Sequence, residues 1–97
     1  MFIISLTYKT ELSEVDKHIS AHISYLEKYY ASGKFIASGR KVPRTGGVIL
    51  VNRTNRDELD IIIKDEPFHI AGIADYDVAE FIPTMAAKEF SNLKNCI

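Results

Sequence analysis

Residues 13–33 read SEVDKHISAHISYLEKYYASG, and this stretch decides how the rest of the chain is arranged. Leu12, Val15, Ile19, Ile23, Leu26 and Tyr30 recur at spacings of three and four, which predicts one apolar stripe on a helix from Ser13 to Ser32. Ser13 followed three residues later by Asp16 is a capping-box-like start, and Gly33 stands where a helix takes its C′ residue. At 1.5 Å per residue such a helix is roughly 30 Å long.

On its N-terminal side, Phe2 to Tyr8 is β-branched and aromatic and reads as a first strand. On its C-terminal side, Lys34 to Gly39 reads as a second strand. Pro43-Arg44-Thr45-Gly46-Gly47 follows as dense turn chemistry, then Val48 to Val51 as a third strand buried on both faces. Asn55 caps a second helix with Glu58 at N3; Leu59, Ile62 and Ile63 form its apolar face, and Pro67 forbids its continuation. Ile70 to Phe81 is a fourth strand with Ala74, Tyr76 and Val78 on one face and Asp75 and Asp77 on the other. Pro83 and Thr84 open a short last helix carrying Ala86, Phe90 and Leu93.

The order is βαββαβ with a C-terminal helix, the split βαβ of the ferredoxin-like α+β class. Both helices then cover one sheet face and leave the other bare. The expected remedy is a homodimer whose sheet faces pack together as a dimeric α/β barrel.

Composition supports a packed globule: 97 residues, 46% apolar and 26% charged, are enough for a single domain over 1–97 and not for two. No apolar run approaches the roughly 20 residues of a membrane span, and Met1 to Leu6 lacks the basic region and cleavage site of a signal peptide. Net charge is −1, the pI is about 6.3, and the basic residues are scattered, so neither nucleic acid nor a membrane surface is an expected partner. Cys96 is the single cysteine, which points to a reduced, cytoplasmic protein.

Several side chains carry possible chemistry. His22 sits at the edge of the helical stripe; an imidazole there is either a proton-transfer group or a core-edge histidine satisfied by a carbonyl or water. His18 lies one turn earlier, but no third ligand has recognisable spacing, so no metal is expected. Asp65 and Glu66 fall at the C-terminal end of the second helix, where the macrodipole disfavours acids. Such acids are either tolerated in a solvated turn or used as a general acid or base. Gly46-Gly47 lacks a following helix and a lysine-serine pair, so it is turn chemistry rather than a phosphate loop.

Four segments together resemble the YciI-like (YCII-related) proteins. Ala21-His22-Ile23-Ser24-Tyr25-Leu26 resembles that family's AHLAYL helix motif, and residues 33–39, GKFIASG, look like its second strand. Residues 66–72, EPFHIAG, are similar to its DPF..AG segment, and residues 75–81, DYDVAEF, to its last strand. The resemblance implies dimeric barrels of ferredoxin-like protomers, each with a pocket holding a histidine and an acid. His22 matches the family histidine; aligned on Pro67, the family aspartate falls on Glu66, with Asp65 just before it as the other candidate. Many members carry an arginine where this chain has Ile19, and Arg40 replaces a frequent proline. One branch of the family looks like dehydrohalogenating lyases acting on chlorinated hydroxyquinones.

The function these readings favour is a small-molecule lyase or isomerase without metal or organic cofactor. His22 with Glu66 or Asp65 would be catalytic, and Ser38, Arg40 and Phe68 substrate-binding. The alternatives are a non-catalytic dimer that binds a small metabolite and a dimer with a purely structural role.

Overall fold

Alternation along FIISLTY puts Phe2, Ile4 and Leu6 on one side of the first strand, β1 (Phe2–Tyr8), and all three are buried there. In the computed structural model, which describes residues 1–95, β1 is an inner strand of a four-stranded antiparallel sheet. The order is β2-β3-β1-β4, with β2 at Phe35–Arg40, β3 at Gly46–Val51 and β4 at Ala74–Glu80. Register pairs Leu6 with Gly47 on one side and Tyr76 on the other, and Ile4 with Ile49 and Val78. This strand order with helices between β1 and β2 and between β3 and β4 is the ferredoxin-like arrangement. The sheet is open, with β2 and β4 at its edges.

The long helix predicted from Ser13 to Ser32 is two helices, α1 (Leu12–Asp16) and α2 (Ile19–Ala31), broken at Lys17 and His18. The break lets Val15 bury completely beside Leu6, Phe68 and Ala74 while Tyr25 and Tyr29 bury over Phe2, Ile4 and Phe35. The buried stripe is also rotated from the one read in the sequence. Ile23 is 47% exposed, whereas Tyr25 and Tyr29 are inside. Two hydroxyl partners account for this: Tyr25 donates to the Ile62 carbonyl at 2.9 Å and Tyr29 to Asp65 at 2.9 Å. With its polar end satisfied, a tyrosine ring contributes more buried area than an isoleucine. The rotation carries His22 from the stripe's edge into it.

The helix α3 (Arg56–Lys64) is capped by the Asn55 side chain, which accepts from the Glu58 amide at 2.8 Å. Its C-cap is Asp65, and the next residue starts a new helix, α4 (Pro67–Ile70). Pro67 thus ends one helix and opens another at its first position, where its missing N–H costs nothing. The predicted strand from Ile70 therefore begins later, at Ala74, after Gly72 turns the chain at φ 69°. Gly46 and Gly47 belong to β3 and not to the turn before it.

The last helix predicted from Pro83 is replaced by chain without helix over 82–87 and by 3₁₀ turns within Lys88–Asn95, kinked at Phe90. Cys96 lies outside the described residues. On the sheet face away from the helices, Val48 and Leu50 are only half-buried, so the full burial expected of β3 is met on one side alone. Among the described residues no helix is long and apolar enough to cross a membrane.

Candidate functional site

A cavity of about 390 Å³ opens between α2 and the β1–β3 part of the sheet. Leu6, Ile19, Leu26, Ile49 and Phe68 give it apolar walls, and His22, Ser38, Arg40 and Arg44 supply polar groups. This mix of apolar wall and few convergent polar groups is typical of small-molecule sites. The register explains two of the residues: Ser38 pairs with Ile49 and Arg40 with Gly47, which puts both on the helix side of β2. Gly47, which has no side chain, lines the same cavity.

His22 is the most constrained polar group on this wall. Its ring stacks on Phe68 at 4.4 Å between centroids, 16° from parallel, and its Nδ1 lies 2.6 Å from Oε1 of Glu66. The His22 side chain is 17% exposed and that of Glu66 1%, so the acid is sealed beneath the imidazole, which faces the opening. Glu66 is anchored by its place at the start of α4. Its Oε2 accepts from the Phe68 amide at 3.1 Å and from the hydroxyl of Tyr76. The cap therefore fixes the carboxylate's orientation, and the same short helix fixes the ring on which His22 stacks.

Burial drives the Tyr76 hydroxyl well above the usual tyrosine pKa, and the neighbouring Glu66 adds to the effect. Tyr25 is raised for the same reasons in the same order. Both phenols thus remain donors. A tyrosine raised in the folded state gives stability below its unfolded value of 10.0, lost as pH climbs past that value.

Asp65 points elsewhere. Its Oδ2 accepts from Lys28 Nζ at 2.8 Å and from the Tyr29 hydroxyl at 2.9 Å, and it is not part of the cavity wall. Of the two adjacent acids the structure joins Glu66 to His22 and gives Asp65 to an exposed ion pair. The Lys28 bond, then the Tyr29 bond, hold the Asp65 carboxyl below its ordinary 3.8. A lowered carboxylate stabilises the fold above that value and loses its contribution as pH falls through the folded pKa. Asp65→Asn is therefore expected to lower the melting temperature slightly at pH 7 and by less at a pH below 3.8. Melting curves at the two pH values check this.

Ser38, Arg40 and Phe68 all line the cavity with His22. Arg44 and Tyr76 are the residues that sequence reading missed. Arg44 was read as part of a turn, yet it lines the cavity and donates to Asp16 of α1 at 2.6 Å. Tyr76 was legible as an inward residue of the fourth strand, but its hydroxyl's partner was not. The Arg40 side chain carries no ion-pair or hydrogen-bond partner among the described residues. Among the same residues no three metal-ligating side chains gather into a cluster.

A family model described as the YCII-related domain matches residues 1–82. Among solved structures, the 5-chloro-2-hydroxyhydroquinone dehydrochlorinase of Burkholderia phenoliruptrix AC1100, in complex with 2,5-dihydroxybenzoquinone, has a TM-score of 0.73 to this chain at 21% identity. The match covers 91% of this chain and 96% of that one. At that identity the likeness is one of fold. No curated protein sequence matches.

Proposed function

The chain belongs to the YCII-related family, and from that premise we propose that it is a small-molecule enzyme whose His22 transfers a proton without a cofactor. The observation that carries the reading is the sealed His22–Glu66 pair opening onto an apolar cavity. In this mechanism Nδ1–H of His22 donates to Glu66, and Nε2 takes a proton from the substrate. The imidazolium that forms is stabilised by the buried carboxylate, the base-and-orienter arrangement of general catalysis. The proton later returns to the product or passes to a leaving group, so the reaction is an elimination or an isomerisation.

The dehydrochlorinase shares the fold, and the reaction in its name, loss of a proton and a chloride, calls for a base to take that proton, the part proposed for His22. Phe68 offers a flat apolar surface beside His22. The guanidinium of Arg40, with Arg44 near it and no carboxylate lining the cavity, suits a substrate carrying an acidic oxygen. Ser38 adds a hydroxyl to the same wall. Homodimerisation through the open sheet face, where Ile3, Val48 and Leu50 stay half-buried, belongs to this reading as well.

The test offers 5-chloro-2-hydroxyhydroquinone to the protein and follows chloride and quinone formation against a blank. Related hydroxyquinols in D₂O, read by NMR for deuterium uptake, widen it. An enzyme of this kind changes at least one of these compounds. A protein that binds them and returns each unaltered is a binding protein, and the catalytic reading falls.

A further inference from the structure

Tyr76 does not line the cavity, yet its hydroxyl ends on the carboxylate that holds His22. The two buried tyrosines end otherwise, Tyr25 on the Ile62 carbonyl and Tyr29 on the partly exposed Asp65, whereas the Tyr76 hydroxyl ends on a carboxylate sealed from solvent. We propose that Tyr76 is a positioning residue for His22: its hydroxyl holds Oε2 of Glu66 so that Oε1 accepts from Nδ1–H, leaving Nε2 as the ring's basic nitrogen. This deepens the proton-transfer reading and rests on it.

The lone pairs of one buried carboxylate decide where the shared proton sits. Glu66 is 1% exposed and meets three donor-bearing groups: the imidazole at Oε1, and the Phe68 amide and Tyr76 hydroxyl at Oε2. An amide can only donate, so a carboxyl proton on Oε2 would face the Phe68 N–H unfavourably. With Tyr76 also donating there, Oε2 is filled, and the proton shared at Oε1 resides on the imidazole. Without the Tyr76 hydroxyl, Oε2 keeps the amide alone and the carboxylate becomes a stronger base: as Nε2 takes a proton from solvent, the Nδ1 proton passes to Glu66. The ring then moves toward its Nε2–H form, which has no lone pair to offer the cavity.

Backbone placement makes the contact inherent to the fold. Tyr76 pairs with Leu6 across β4 and β1, facing the helices, and its ring lies 5.5 Å from that of His69 on α4. Strand β4 thus locks the carboxylate whose orientation α4 begins.

The test is long-range ¹H–¹⁵N NMR of the three histidines, with His22 assigned by loss of its signals in His22→Asn. Wild type is expected to show His22 in the Nδ1–H form. Tyr76→Phe, which keeps the ring, shifts its ¹⁵N pair toward the Nε2–H form, in the same direction as Glu66→Gln. A Tyr76→Phe spectrum identical to wild type, with Glu66→Gln altered, overturns the role of Tyr76 and leaves the pair standing. A His22 indifferent to Glu66→Gln overturns the pair itself. Should Tyr76→Phe not fold, 3-fluorotyrosine incorporation replaces it. Placed at position 76 alone, its more acidic hydroxyl must shift the His22 ¹⁵N pair in the sense opposite to Glu66→Gln, and an unmoved pair overturns the proposal.

Discussion

His22→Ala is expected to lower turnover of a verified substrate by about 10²–10⁴-fold, the usual worth of a general acid or base. Binding should be far less affected, because Phe68, Ser38 and Arg40 remain on the cavity wall. Glu66→Gln keeps the shape of the pair and removes its charge, so it should lower kcat by a smaller factor than His22→Ala and leave KM nearly unchanged. Steady-state kinetics on the three proteins decide the matter. An interaction made only in the transition state lowers kcat and kcat/KM alike, whereas one made equally in the ground state raises KM alone. If His22→Ala changes affinity and nothing else, the imidazole is a ligand contact and the protein a binder. The substitution sits at the rim of an existing cavity, so loss of the ring should not unfold the chain; a melting curve verifies this.

Gly46→Ala should be the most damaging small substitution in the sheet. A Cβ at Gly46 would overlap the Leu6 carbonyl oxygen and lie 2.8 Å from its carbon and 3.0 Å from Thr7 Cα. These are backbone atoms of the neighbouring strand, held by the Thr7–Gly46 and Leu6–Gly47 pairing, so no side chain can swing aside. Strands β1 and β3 would have to part at the place where both border the cavity. We expect a loss of about 4 kcal/mol or more, at the upper end for single substitutions, measured by urea unfolding. Gly39→Ala is the control, since a Cβ there meets nothing within 4 Å. Equal stability of the two variants would show that the sheet yields at Gly46.

Much of the fold was legible because the relevant signals are local. Alternation in Phe2 to Tyr8, the Asn55 cap with Glu58, and the two faces of the fourth strand all report backbone geometry within a few residues. The misreadings came where tertiary partners outweigh local pattern. Spacings of three and four put Ile23 in the stripe and leave Tyr25 out of it. The carbonyl of Ile62 that makes a buried Tyr25 hydroxyl acceptable lies 37 residues away. Pro67 read as a stop because proline ends helices; that Glu66 caps a new one depends on where the chain had to go next.

The same division holds at the site. His22 and an adjacent pair of acids could be picked out from the sequence, and so could the ferredoxin-like order that brings their two segments together on one sheet face. Which acid reaches the histidine could not. Asp65 and Glu66 are neighbours in sequence, but one is the last cap of α3 and the other the first cap of α4. The chain's change of direction between them sends Asp65 to Lys28 at the surface and Glu66 into the core, 2.6 Å from a ring 44 residues away. Local sequence specifies helices and strands because their hydrogen bonds are short-range. The pairing of a buried acid with a base is set by how those elements pack, and only the tertiary structure determines that.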